Sequence, residues 1–130
     1  MNIRENVPAD LSYSSYIGAN MRGRNLRGAN MRRAILDGAD LSDANLSGAD
    51  LTNASLKGTI LKKAALDDAC LENADCRKAN FALSNLQNAK LAGADLRGIR
   101  GRYAIWKDAN WWDARMDDSL HKALGKKWPR

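Results

Sequence analysis

Few residues in this sequence are of the types that catalyse reactions or bind metal ions. The 130 residues include one histidine, His121, so a histidine-dependent triad or metal cluster would rest on a single side chain. The two cysteines, Cys70 and Cys76, are not spaced as metal ligands usually are. No glycine-rich segment has the GxxxxGK pattern, followed by Ser or Thr, that binds phosphate. The sequence therefore predicts a protein that is not an enzyme, with no catalytic residue, metal site or cofactor.

Aspartates are numerous, and paired carboxylates can act as general acid and base. Here, however, they recur at a fixed place, one residue before a leucine or another apolar residue, where asparagine also recurs. Such regular placement indicates a structural role within a repeat. The aspartates at this place include Asp10, Asp40, Asp50, Asp75 and Asp95.

The regularity comes from a repeat of five residues, which is clearest where residues 39–56 read ADLSDANLSGADLTNASL. We call the leucine of each unit the central position; it falls at every residue number that ends in 1 or 6. From Leu11 to Met116, 13 of the 22 central residues are leucine. The inner position, two residues earlier, is alanine in 17 of the 22 units. Seven other large apolar residues and Cys76 occupy central positions, and Gly101 is the one exception.

This period fits neither a helix nor a long strand. A five-residue step advances about 140° around an α-helix, which would spread the leucines around the whole cylinder. A long strand requires a period of two. Within one unit, however, alanine and leucine point to the same side, and the fifth residue is often Gly, Asn or Asp, which turns prefer. Each unit is therefore predicted to be a short extended piece followed by a turn, and the units wind into a solenoid.

The tandem A-[DN]-L-x-x units between Ala9 and Asp118 resemble those of pentapeptide-repeat proteins. The resemblance implies an all-β fold, a right-handed quadrilateral β-helix with four units per coil, of about five to six coils in this chain. We predict an N-terminal cap at residues 1–8, the β-helix at 9–118, and a short C-terminal capping helix with a tail at 119–130.

With four units per coil, outward residues of successive coils form columns that carry local charge. Arg22, Lys62 and Arg102 share one column, and Asp40 and Asp43 are the nearby acids. Such a column could contact a polyanion, although a solvated wall is the simpler interpretation. The predicted polyanion face consists of Arg22, Lys62, Lys63, Arg100 and Arg102.

A second basic column should be less available to an anion, because Asp75 and Asp95 lie close to it and offset its charge. Its members are Lys57, Arg77 and Arg97, with Lys78 beside them.

The ends of a solenoid expose apolar side chains and unpaired backbone groups, so both require covers. At the C-terminal end we predict a short helix that starts near Asp117 and stops at Gly125. Trp112 and Trp128 could seal this end or contact a partner end-on. The residues expected on the buried face of the helix are Leu120, Ala123 and Leu124.

Two departures from the repeat need their own explanation. Arg24 occupies an inner position, and because a buried unpaired guanidinium would cost several kcal/mol, we expect it to reach solvent. Gly101 leaves space at a central position, which Trp106 and Trp111 could fill. Cys76 is expected to face inward and Cys70 outward, so no disulfide is predicted between them.

The N-terminus has no apolar core of a secretory signal, and no apolar run is long enough to span a membrane, so we expect a cytoplasmic protein without membrane contact. The leading hypothesis is a non-catalytic structural or protein-interaction module whose partner is another protein. Contact with nucleic acid or another polyanion through the basic face is the alternative. The resemblance also implies DNA mimicry and gyrase modulation, but such relatives are long and acidic, and this chain carries a net charge of +6. A monomer is favoured over a dimer through the C-terminal ends.

Overall fold

The computed structural model describes residues 8–130, which wind into a β-helix with four faces. Parallel β-bridges join the residue before a central position to the residue one coil further on, from Asp10↔Asn30 to Asp95↔Arg115, at every unit of this range except that of Lys90. These bridges form four columns, so one coil takes four units, as the resemblance to pentapeptide-repeat proteins implies. The predicted N-terminal cap lies outside the described residues, except for Pro8.

Every backbone N–H of a typical unit has a hydrogen-bond partner. We call the residue before the central position the bridge position. The first residue after the central position is the wall position, and the second is the corner position. In residues 49–53, the N–H of the inner residue donates to the carbonyl of the previous central residue, and the N–H of the bridge residue donates to a carbonyl of the preceding coil. The N–H groups of the central and corner residues donate to carbonyls of the following coil. All four N···O distances are 2.7–3.0 Å. The wall N–H, of Thr52, points away from both coils and donates to Oδ1 of Asp50 at 3.0 Å.

The side-chain acceptor at the bridge position explains the recurring Asp and Asn residues. In eleven units the Oδ1 atom of an Asp or Asn there accepts the wall N–H two residues later. Because short Asx side chains reach this N–H easily, the repeat selects them at this position. The aspartates are therefore structural, as predicted.

The chain turns between faces at corners that all share one backbone conformation. The twenty corner residues from Tyr13 to Asp108 have φ between 57° and 73°. This left-handed region is costly for most L-residues, which is why eight corners are glycine and six are Asn or Asp. The other six corners are Tyr13, Arg33, Lys63, Lys78, Leu83 and Tyr103.

The core fills the inside of the winding. Central residues from Met21 to Trp111 are buried, except Gly101, which is half-buried. The Trp106 ring lies 3.6 Å from the place where a Cβ of Gly101 would stand, so the indole fills the predicted gap. Arg24 is exposed to solvent, as expected. Cys76 is buried and Cys70 half-buried, and both thiols are free.

The regular winding ends at a 3-10 turn, Trp111–Asp113, which is followed by helix α1, Asp118–Lys127. Asp117 lies at the N-cap, and its Oδ2 accepts the N–H of Gly98 at 2.8 Å, which ties the helix to the last coil. The prediction that the helix stops at Gly125 was wrong, because α1 continues to Lys127. None of the helices within residues 8–130 is long and apolar enough to cross a membrane.

The buried face of α1 is narrower than predicted. Leu124 is 5% exposed and Leu120 is half-buried, but Ala123 is exposed. The prediction was wrong at Ala123 because this residue borders an open groove between the helix and the last units.

Removing a central side chain should cost far more stability than removing a wall side chain. We expect Leu51→Ala to lower the free energy of unfolding by about 3 kcal/mol, because Leu51 is fully buried and the cavity cannot collapse between two bonded coils. The matched control Arg27→Ala, at an exposed wall position, should change it by less than about 0.5 kcal/mol. Urea unfolding followed by circular dichroism measures both values, and equal losses would contradict the inward placement.

Candidate interaction wall

One face of the β-helix brings together all five residues of the predicted polyanion face. Its bridge column contains Asn20, Asp40, Ile60, Asn80 and Arg100. The wall column beside it therefore carries Arg22, Lys62 and Arg102, each two coils from the next, and about 10 Å separates such residues. Lys63 lies at the corner of the same face. We call the surface formed by Arg22, Lys62, Lys63, Arg100 and Arg102 the basic wall.

The five cations differ in how far acids compensate them. Arg22 lies 3.6 Å from Asp40 and 3.8 Å from Asp43, so its charge is largely offset. The other four form no ion pair with any residue in the range 8–130 and are exposed. The uncompensated positive charge therefore lies on the part of the wall towards the C-terminus.

Large apolar side chains project beside these four cations. Leu83, at the corner between Lys63 and Tyr103, is 47% exposed. Tyr103 is 67% exposed and Ile105, on the adjoining face, 43%. The Arg102 guanidinium lies 5.3 Å from the centre of the Tyr103 ring. We call Leu83, Tyr103 and Ile105 the apolar ridge.

Sequence reasoning missed Leu83 and Ile105 as candidate site residues. A signal for Leu83 was present, because a large aliphatic residue stands at the fifth position of its unit, where turns prefer Gly, Asn or Asp. Ile105 likewise replaces the Asx residue that its column carries at Asn25, Asn45 and Asn85.

The second basic column is neutralised, as predicted. Arg77 donates two hydrogen bonds to Asp75 at 2.9 and 2.7 Å, and Arg97 does the same to Asp95 at 2.9 and 2.6 Å. These guanidinium hydrogen bonds lower the pKa of each carboxyl below its ordinary value. In the same column Lys57 lies 3.7 Å from Asp37.

The tryptophans of the C-terminal end are held against the solenoid by the tail. The indole N–H of Trp111 donates to the backbone carbonyl of Trp128 at 2.9 Å. The Arg130 guanidinium lies 5.9 Å from the Trp112 ring centre, and Lys127 Nζ lies 5.6 Å from that of Trp128. Trp112 and Trp128 are both half-buried. End-on contact of these two rings with a partner stays a prediction.

The sequence profile of pentapeptide repeats matches residues 9–43, 39–75 and 66–100, with eight copies. The chain belongs to the pentapeptide repeat family. The matched segments together cover most of the described winding, which agrees with the twenty-residue coil and the inward leucines. A comparison with curated protein sequences gives no match.

Solved structures of other pentapeptide repeat proteins confirm the right-handed quadrilateral β-helix. A protein from the Arabidopsis thaliana thylakoid lumen is 29% identical, with a TM-score of 0.81 over 85% of this chain and 77% of that one. HetL of Nostoc, a protein involved in heterocyst differentiation regulation, is 25% identical, with a TM-score of 0.52 over 85% of this chain and 69% of that one. A second Nostoc protein is 26% identical, with a TM-score of 0.55 over 88% and 90%.

In this pentapeptide repeat, the cysteines and the histidine are buried in the core or contact neighbouring side chains. Burial raises the pKa of the Cys76 thiol, so it stays protonated. Cys70 Sγ lies 3.2 Å from Thr52 Oγ1, and the exposed His121 ring packs against Trp111 at 5.2 Å between centres. Within residues 8–130, no three His, Cys, Asp or Glu side chains are grouped so that they could hold a metal ion.

The carboxyls with lowered pKa values should contribute stability that disappears in acid. Asp95 has a folded pKa below its ordinary value of 3.8, so its contribution is present above that value and is lost as pH falls through the folded pKa. We expect Asp95→Asn, which keeps the side-chain acceptor for the wall N–H, to lose less stability than the native chain between about pH 5 and pH 2.

Urea unfolding at several pH values measures this dependence. The control Asp68→Asn makes the same charge change at an exposed corner, so an effect common to both variants reports the change in net charge and not the contacts of Asp95. An Asp95→Asn variant with an unaltered pH dependence would contradict the assignment.

Proposed function

We propose that this pentapeptide repeat is a non-catalytic interaction module that binds an acidic segment of a partner protein across the basic wall and the apolar ridge. The segment would place carboxylates against Lys62, Lys63, Arg100 and Arg102, and an apolar side chain against Leu83. This proposal joins the two functional hypotheses from the sequence, because a protein partner contacts the face first predicted for a polyanion.

The backbone of Leu83 carries the proposal. Its φ of 61° is a conformation that costs an aliphatic L-residue about 1–2 kcal/mol, and Asn or Gly would relieve that cost. The side chain is 47% exposed, so packing within this chain returns little of the cost. A strained, exposed apolar residue beside cations is typical of the centre of an interface, where an apolar contact is surrounded by a polar rim.

The charges favour an acidic protein over a nucleic acid. The four cations that form no ion pair within residues 8–130 span two coils, roughly 10 Å, which offers few phosphate contacts to a duplex. The aliphatic Leu83 stands among them, and phosphates gain nothing from such a contact.

Charge and family agree with a binding role. The uncompensated cations argue against an acidic DNA mimic that modulates gyrase, since such a surface would need to be negative. The similarity to HetL, which is involved in the regulation of differentiation, supports a module that acts by contact. The cytoplasmic location and monomeric state expected from the sequence stay predictions.

Reversing the two central wall charges should weaken binding of an acidic probe. We expect Lys62→Glu with Arg102→Glu to weaken binding of a fluorescent peptide of alternating glutamate and leucine by about tenfold or more, because two attractive contacts become repulsive. Fluorescence anisotropy at physiological salt measures the affinity. The matched control, Arg27→Glu with Arg33→Glu, makes the same charge change at exposed positions on other faces and should have little effect.

A peptide of glutamate alone and a short DNA duplex separate the alternatives. The proposal predicts that the glutamate–leucine peptide binds more tightly than either. Duplex binding that equals or exceeds that of the peptide would replace the proposal with the polyanion alternative. Failure of the peptide to bind, or equal weakening in the control variant, would refute it.

Replacing Leu83 should separate binding from stability. We expect Leu83→Asn to raise the free energy of unfolding by about 0.5–1 kcal/mol, since asparagine suits the corner, and to weaken binding of the glutamate–leucine peptide by about fivefold. Tyr13→Asn, at an exposed corner with φ of 58° distant from the wall, should leave binding unchanged. A variant that loses stability and keeps its affinity would show that Leu83 serves the fold.

A further inference from the structure

A cavity of about 330 Å³ lies at the C-terminal end, between the last units and the tail. Its walls include the rings of Trp106, Trp112 and Trp128. Trp106 is 2% exposed, while the other two side chains are half-buried. The volume lies in the range of about 300–1,000 Å³ that is usual for small-molecule sites, and aromatic walls of this kind suit a flat ligand.

The rim of this cavity is positively charged. Lys107, Lys127 and Arg130 line it, and none of the three forms an ion pair within residues 8–130. Asp108 is the one acid among the lining residues, so the side chains around the cavity carry an excess of two positive charges. This excess favours an acidic group on the ligand.

Two of the cations are placed beside the aromatic walls. Lys127 Nζ lies 5.6 Å from the centre of the Trp128 ring, and the Arg130 guanidinium lies 5.9 Å from that of Trp112. Both cations lie over indole faces, so a planar ring that enters the cavity would displace them from the indoles, and its acidic group would then pair with them. The hydrogen bond from Trp111 to the Trp128 carbonyl fixes this part of the tail, so the walls are largely formed before a ligand arrives.

We propose that this cavity binds a small planar aromatic anion, with its ring against Trp112 and Trp128 and its acidic group at Lys127 and Arg130. A carboxylate, sulfonate or phosphate would supply the same chemistry. This site is separate from the basic wall, and it gives the tail a binding role in addition to covering the solenoid.

The test uses anilinonaphthalene sulfonate as the probe and N-phenylnaphthylamine as its counterpart without the sulfonate. All four tryptophans of the chain belong to the units and tail at this end, so energy transfer from tryptophan to a bound probe reports on it directly. We expect the sulfonate to bind with saturable transfer and the uncharged compound to bind at least about threefold more weakly.

Charge variants locate the acidic group. Lys127→Gln with Arg130→Gln should weaken binding of the sulfonate by about threefold or more, since each exposed charge contact contributes modestly. The matched control, Lys62→Gln with Arg102→Gln on the basic wall, should leave it unchanged. Both pairs are exposed, so the fold should persist, and circular dichroism checks this.

Several results would overturn the proposal: absence of saturable transfer, equal binding of the uncharged compound, or less than about threefold weakening in the tail variant. Equal weakening in the wall variant would overturn it as well. The tail variant should keep its affinity for the glutamate–leucine peptide, so failure of this site and failure of the proposed interaction wall are distinguishable.

Discussion

The structure depends on one requirement: every backbone N–H must have a hydrogen-bond acceptor, in a chain that turns a corner every five residues. Four of the five donors in a unit reach carbonyls of the same turn or of adjacent coils. The fifth donor, the N–H of the wall position, points outward, and the side-chain oxygen of an Asp or Asn at the bridge position accepts its hydrogen bond. This one requirement explains the recurrent Asx residue. Together with the positive φ of the corners, it accounts for most of the polar pattern of the repeat.

The same ladder decides which distant residues become neighbours. Because each coil takes four units, the wall residues Lys62 and Arg102 are aligned although they are forty residues apart in sequence. Whether such a column is available to a partner depends on the bridge residues beside it. Arg77 and Arg97 have aspartates at that position and are neutralised, whereas Lys62 follows Ile60 and Arg102 follows Arg100. The repeat thus builds four similar walls, and single substitutions at bridge positions make one of them different.

Much of the fold could be predicted from the sequence, because the inward positions and corners are set by local rules that repeat. The burial of Cys76, the solvent exposure of Arg24 and the filling of the space at Gly101 by Trp106 all followed from their places in the unit. The structure of the C-terminal end was harder to predict from the sequence. The helix passes through Gly125 and ends at Lys127, and a Cβ at Gly125 would lie 3.5 Å from the Trp111 ring, so this glycine allows close packing instead of ending the helix.

The positive charges of the candidate site could be predicted from the sequence, but the apolar residues beside them could not. The column of Arg22, Lys62 and Arg102 follows from the five-residue period together with the four units per coil that the resemblance implies. The apolar ridge required knowledge that corners have positive φ, which makes an exposed Leu83 unusual. The cavity at the C-terminal end could not be foreseen, since it depends on the path of the tail, and the indole hydrogen bond that fixes this path joins residues of no regular spacing.

A disulfide test of the register addresses the central claim most directly, because every wall described above follows from a coil of four units. In a Cys70→Ser background, Lys62→Cys with Ala82→Cys places two thiols on adjacent coils of one wall, about 5 Å apart between Cα atoms. Lys62→Cys with Gln87→Cys places the second thiol one unit further on, around a corner. The account predicts that mild oxidation closes an intramolecular disulfide in the first variant and leaves the second reduced. Closure in the second variant, or its absence in the first, would contradict the twenty-residue coil and the surfaces built on it.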